Sequence, residues 1–259
     1  MELKRIKALI LDMDGVLWRG SEPIGDLPAI FSRIRERGVK VVFATNNSTR
    51  TPGQYVQKLA GFGAEAQTAQ IFTSAKATAA ALSERYPAGG GVFVVGEGGL
   101  VEALLEKGFS QQDGKALAVV AGLDSEVTYE KLKRATLLIR GGAVLMGTNP
   151  DKTLPSPEGL APGAGAIIAA LEAASGVKAE IIGKPQATMF QQALSQLGLP
   201  AEEALVVGDR LETDIAGGQA AGCKTALVLS GVTTREMAEA WEPAADLILE
   251  DLTTLAAKL

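Results

Sequence analysis

The sequence contains no histidine among its 259 residues. That absence removes Ser-His-Asp triads, histidine-ligated zinc and phosphohistidine chemistry together. Cysteine is almost as scarce. The single Cys223 allows no intramolecular disulfide and fits a reducing cytoplasm. It sits in "CKTALVL", where Leu229 stands in place of the arginine of a Cys-x5-Arg thiol phosphatase. No apolar run approaches the roughly 18 residues of a membrane span. The basic-then-apolar start "MELKRIKALIL" stops at Asp12, too short for a secretory leader and without a small-residue cleavage site. Basic charge is not in excess either. Lysine and arginine number 25 against 30 acidic residues, a formal net charge of −5. This argues against a broad nucleic-acid or anionic-membrane surface. Acid–base and nucleophilic work is left to carboxylates, lysine, hydroxyls or a bound metal ion.

What is present is glycine (30 residues) and a 47% hydrophobic composition, enough for a sizeable core with many tight turns. Short continuous apolar runs alternate with helical patterns. "ALIL" (8–11) reads as a strand buried on both faces, and Leu27, Ile30, Phe31 and Ile34 recur at helical spacing before Gly38. "VKVVFAT" is a second strand, Thr51-Pro52 opens a second helix, and "IFTSAKATAAALSERY" repeats the unit in short form. Strand–helix alternation of this kind predicts a doubly wound, Rossmann-like parallel sheet. "YPAGGG" (86–91) punctuates the chain, and a fresh set of strand–helix units follows it. We therefore expect an α/β insertion over 82–180 within a core made of 1–81 and 181–259. The core sheet is expected to resume with "AEIIGKP", "ALVVGDR", "KTALVLSG" and "ADLILED", and Leu154–Gly165 is the longest Pro/Gly-rich stretch.

In such sheets, ligands bind at the carboxyl ends of the strands. Four stretches place polar residues there: Asp12 and Asp14, then Thr45, Asn46 and Asn47, then Lys184, and finally Asp209 with Asp214. Singly, each reads as a helix cap, a turn or a loop lysine. Together, Asp12, Asp209 and Asp214 gather like charges that cannot all ionise without a compensating cation. Oxygen-only ligands select a hard ion, Mg²⁺ ahead of Ca²⁺. Lys184 and a divalent ion would balance the three carboxylates and admit a phosphate dianion. Gly96, Gly98 and Gly99 suggest a dinucleotide fingerprint, but Val101 occupies its last glycine position.

"DMDGVLW", the Thr45 that closes "VVFAT", Lys184 in "IIGKP" and "GDRLETD" resemble, in order, the four motifs of the haloacid dehalogenase (HAD) superfamily of phosphohydrolases. The insertion, with "GTNPD" near its end, and the wording "TNNSTRT" resemble the C2-capped NagD-like, 4-nitrophenyl phosphatase and phosphoglycolate/pyridoxal phosphate phosphatase subclass. The resemblance implies a HAD core with a C2-type cap, hydrolysing small phosphate monoesters with Mg²⁺ through an aspartyl phosphate. Asp12 is then the nucleophile and a metal ligand. Asp14 is the general acid/base and offers its backbone carbonyl to the metal. Thr45, Asn46, Asn47 and Lys184 hold the phosphoryl group, Asp209 ligates the metal, and Asp214 acts directly or through a neighbour. "GLDSEVTYEKL" corresponds to the cap segment that selects substrate, which makes Asp124, Ser125, Glu126 and Thr128 candidates.

The implied partner is a small phosphorylated metabolite: a sugar phosphate, phosphoglycolate, a nucleotide or 4-nitrophenyl phosphate. Neither nucleic acid nor membrane is implied, the setting is cytoplasmic, and the resemblance suggests a homodimer through the cap. Two alternatives share parts of the chemistry. A phosphotransferase or phosphomutase uses the same core with another acceptor. A receiver-like phospho-switch also combines acids, a hydroxyl and a lysine, but it is about half this length and its phosphoacceptor lies on a later strand.

Overall fold

The computed structural model describes residues 3–156 and 158–259. The strand Ala8–Leu11 is buried at every position and pairs in parallel with Lys40–Thr45 on one side and Ala204–Gly208 on the other. Lys224–Val228 and Leu247–Leu249 extend the sheet beyond the latter, and Ile71–Thr73 lies outside Lys40–Thr45. All six strands are short, apolar runs, as burial on both faces demands. Leu9, Leu11, Phe43, Leu205 and Val207 turn to one face, where they meet Leu27, Ile30 and Ile34 of the helix Leu27–Glu36 and Leu252 and Leu255 of Leu252–Lys258. Ile10 and its register partner Val206 face the other way. On that side Gly217 and Gly218 press against Phe190 and Val206, so close that a Cβ on Gly217 would lie 2.6 Å from the Phe190 ring. Helices thus cover both faces of a doubly wound parallel sheet. The strand order reverses beside Ala8–Leu11, the switch point at which such sheets open a crevice beyond their carboxyl ends.

The chain divides into two compact units. The first comprises 1–45, 53–72 and 184–259, and the second 46–52 and 73–183. The second holds its own parallel sheet, in the order Glu180–Ile181, Val144–Gly147, Ala118–Ala121, Gly90–Val95, Phe109–Gln111. Its core joins Phe93, Val95, Val119 and Leu145 to Ile139 of the helix Tyr129–Arg140 and to Ile168 and Leu171 of Ala164–Ser175.

Three details depart from the sequence reading. "AEIIGKP" does not rejoin the first sheet: Glu180–Ile181 pairs with Met146–Gly147 in the second. Gly147 makes this fit, because a Cβ there would lie 2.6 Å from Ile181 and 2.7 Å from Ile168. The second unit takes in 46–52, and its main stretch begins at Thr73 rather than near residue 82, so the helix Ser74–Arg85 belongs to it and packs on Gly98–Glu106. The Pro/Gly-rich stretch contains an antiparallel hairpin of Thr153–Ser156 with Gly159–Pro162. No described helix is long and apolar enough to cross a membrane.

Candidate active site

The first strand delivers Asp12 to the sheet edge. Its backbone N–H donates to Val207 O at 2.8 Å, which extends the ladder one residue past the strand. The chain then folds back on itself: Leu17 N–H donates to Met13 O and Gly15 N–H to Trp18 O, each at 2.8 Å. Gly15 takes φ +85°, and a Cβ there would come within 2.5 Å of the Asp209 carboxylate. Glycine meets both demands at once.

Asp209 follows Ala204–Gly208 directly. The loop after Lys224–Val228 wraps over it: Val232 N–H donates to Oδ2 at 2.8 Å, and the Thr233 hydroxyl donates to the Asp209 carbonyl at 2.6 Å. Gly231 abuts the same carboxylate, leaving no room for a Cβ. Oδ1 is buried and, among the described residues, meets no hydrogen-bond donor. Asp214 sits on Leu211–Ile215, a widened turn in which Ile215 N–H reaches back to Arg210 O. Such π-type turns recur at functional sites. Its Oδ2 accepts Arg210 N–H at 3.1 Å, and Gly208, lacking a Cβ, lets the carboxylate tuck against the strand end.

Lys184 joins these acids. Its buried ammonium donates to Asp12 Oδ1 and Asp214 Oδ1, both at 2.6 Å, and to Ala44 O at 3.0 Å. Burial alone would lower its pKa, but the carboxylates of Asp12 and Asp214 hold it above the ordinary lysine value. Burial raises the Asp12 carboxyl well above the usual range; Lys184 opposes the rise, while Asp214 and Asp209 add to it. Asp209 is pushed up to about 6, first by burial and then by Asp214. Thr45, also buried, closes the neighbouring strand one residue beyond Ala44. Asp14 stands exposed at the turn, its Oδ1 accepting the Trp18 indole N–H at 2.7 Å.

Oxygens from Asp12, Asp209 and Asp214 all lie within 4.8 Å of one another. Three carboxylates against one ammonium leave an excess of two negative charges in a largely buried space. The donor set is oxygen only, and the buried Asp209 Oδ1 has no hydrogen-bond partner among the described residues. All three features fit a hard divalent cation.

Residues 9–110 match the haloacid dehalogenase-like hydrolase family, and residues 181–255 match a second, HAD-hydrolase-like family. Over 234 residues the chain is 39% identical to 5'-nucleotidase YutF of Bacillus subtilis, covering 90% of this chain and 91% of the relative. The chain belongs to the haloacid dehalogenase-like hydrolases. Among solved structures, a 4-nitrophenylphosphatase from Thermotoga maritima superposes with a TM-score of 0.93 at 34% identity, over 98% of each chain. A glycerol phosphate phosphatase from Mycobacterium tuberculosis, in complex with magnesium, superposes with a TM-score of 0.92 at 33% identity, over 98% of this chain and 78% of that one.

Of the HAD residues expected from sequence, the structure gathers Asp12, Lys184, Asp209 and Asp214 in the first unit, with Asp14 and Thr45 on adjoining backbone. Asn46, Asn47 and the four insertion candidates belong to the second unit. There the "GTNPD" segment secures Asn46: Asn149 Nδ2 donates to Asn46 O at 2.8 Å, and Asn46 Nδ2 donates to Asp151 Oδ2 at 3.2 Å. Asn47 Oδ1 accepts from Thr49, both backbone N–H and hydroxyl. Asp124 is buried, paired with Lys131 at 2.6 Å and accepting Glu126 N–H. Ser125 donates to Glu97, and Thr128 caps the helix Tyr129–Arg140. Glu126 is exposed, and its carboxylate has no partner among the described residues. Sequence reasoning missed the Ser230–Thr233 loop around Asp209. Its position after a core strand, at the carboxyl edge, was the available signal.

Proposed function

We propose that the protein hydrolyses small phosphate monoesters with Mg²⁺, Asp12 acting as nucleophile. The observation that carries this reading is the cluster of Asp12, Asp209 and Asp214 within 4.8 Å, clamped by the buried Lys184. Lys184 holds Asp12 Oδ1, which stops rotation of the carboxylate and leaves Oδ2 to attack phosphorus in line. Asp14 protonates the leaving oxygen, then takes a proton from the water that hydrolyses the aspartyl phosphate. Thr45, Asn46 and Asn47 hydrogen-bond the phosphoryl oxygens, and Lys184 offsets the charge that builds on them. Asp12, the Asp14 backbone carbonyl and Asp209 hold Mg²⁺. Asp214, whose two carboxylate oxygens already accept from Lys184 and Arg210, supports the site through Lys184. When bound, Mg²⁺ neutralises the carboxylates and the incoming phosphate.

The relatives' names converge on this chemistry while differing in substrate: a nucleotidase, a 4-nitrophenylphosphatase and a glycerol phosphate phosphatase. The second unit is the proposed substrate-selecting cap, and Glu126, the one candidate whose side chain makes no bond among the described residues, is its proposed specificity residue. A cytoplasmic setting is supported by the lone, unpaired Cys223. The test is phosphate release from 4-nitrophenyl phosphate and a panel of phosphorylated metabolites. Turnover that requires Mg²⁺ and stops with EDTA is the expected result. No release from any ester would overturn the reading.

A further inference from the structure

We infer that Trp18 is a positioning residue for Asp14, fixing which carboxyl oxygen carries the transferable proton; the inference rests on the phosphate-ester reading above. Trp18 is fully buried, whereas Asp14 is exposed. A buried indole N–H ordinarily finds a partner, and here the partner is a carboxylate two residues from the nucleophile, at 2.7 Å. Trp18 cannot easily yield. Its carbonyl accepts Gly15 N–H, its ring packs on Phe62 with centroids 5.8 Å apart, and Lys58 Nζ lies 4.0 Å over the ring. The tether therefore runs from a rigid core group to an exposed acid that would otherwise sample several rotamers.

An indole N–H only donates, so it occupies an Oδ1 lone pair and cannot accept from a protonated Oδ1. When Asp14 acts as the acid, Oδ2, which has no partner among the described residues, is therefore the oxygen left to carry the proton. In the first step the Asp12 oxygen–phosphorus bond forms and the ester P–O bond breaks, its electron pair staying on the leaving oxygen. That oxygen takes the proton from Asp14 Oδ2. In the second step water attacks phosphorus, Asp14 Oδ2 recovers a proton from it, and the bond to Asp12 breaks. Trp18 touches neither substrate nor reacting atom; it acts by holding Asp14.

This role is distinguishable from core packing by its dependence on the leaving group. 4-Nitrophenolate leaves well without protonation, whereas the alkoxide of glycerol phosphate does not. Trp18→Phe keeps a ring in the core and deletes the N–H. Expected is a fall in kcat/KM, which reads the steps through leaving-group departure, of about tenfold or more on glycerol phosphate, drawn from the general-acid contribution, with little change in kcat/KM on 4-nitrophenyl phosphate. In the Asp14→Asn background, Trp18→Phe should add no further loss, since the two act as one unit. Replacing Trp18 by 3-benzothienylalanine, which exchanges N–H for sulfur at nearly the same shape, should reproduce the selective loss and serves if the phenylalanine variant fails to fold. Equal losses of kcat/KM on both esters, or none, overturn the inference while leaving the phosphatase reading intact. A wild-type enzyme inactive on both esters overturns both.

Discussion

Lys184 Nζ lies 2.6 Å from Asp12 Oδ1, joining residues 172 positions apart in a nearly solvent-free site. The contact does two things: it orients the proposed nucleophile and sets a buried ammonium against the clustered carboxylates, where it also pairs with Asp214.

Removing that cation should therefore harm the fold as well as the chemistry. Lys184→Met leaves Asp12 and Asp214 uncompensated, and breaking a buried pair costs about 3–5 kcal/mol. Urea unfolding at pH 8 in EDTA should show a loss of that order, partly restored by Mg²⁺, and turnover should fall by about two to three orders of magnitude. A metal-free protein as stable as wild type would contradict this role.

Stability of the metal-free protein should also respond to pH in a defined direction. Asp209 titrates at about 6 when folded, against about 3.9 for an unfolded aspartate. Between those values the native state keeps a proton that the unfolded state has lost, so this group's contribution falls as pH rises from about 4 to 6. Asp12, raised in the same direction, adds to the fall. Asp209→Asn removes the first part, so the variant should gain stability relative to wild type across that window. Saturating Mg²⁺, which favours the ionised carboxylates, should flatten the wild-type profile. Urea titrations in EDTA at stepped pH read the difference, and a variant that loses ground as pH rises would refute it.

Gly231 tests the loop around Asp209. A Cβ at this position overlaps the carboxylate, so Gly231→Ala must shift either the loop or the proposed metal ligand. Groups that orient a ligand are worth about ten- to a hundredfold in metal affinity. Calorimetric titration with Mg²⁺ should show a loss in that range with the thermal unfolding transition retained; unchanged affinity would remove the loop from the site.

In the second unit, Asp124 and Glu126 should separate. Asp124 is buried against Lys131 and accepts Glu126 N–H, so Asp124→Ala should cost about 1–3 kcal/mol of stability. It should leave the ratio of kcat/KM between two substrates unchanged. Glu126→Ala should do the reverse. Stability and substrate ratios measured on both variants decide the assignment.

The core was legible because its strands are short apolar runs that end in charged or polar residues. Asp12, Lys184 and Asp209 stood out because each closely follows such a run, Asp214 because it lies five residues after Asp209, and the structure brings all four together. Less legible were features decided by packing across long separations. Glu180–Ile181 offered too few residues to show which sheet it joins, and Gly147, 34 positions before Ile181, is what admits that side chain. Asp124 looked like a ligand-facing acid, yet its partner Lys131 lies in the first turn of the helix that follows. In "LSGVTT" the place after a core strand was the sole signal, because the constraint on Gly231 and Thr233 comes from Asp209, some twenty residues before them. Only the position of Trp18 relative to Asp14 reveals their hydrogen bond.

The most direct test of the account is whether phosphate becomes attached to Asp12. The wild-type protein, mixed with Mg²⁺ and a phosphate ester carrying labelled phosphorus, is quenched in acid within milliseconds, and the labelled peptide is mapped. The account expects an acid-stable, hydroxylamine-sensitive acyl phosphate on Asp12, absent from Asp12→Asn. Label on a different side chain, or full turnover by Asp12→Asn, would contradict it.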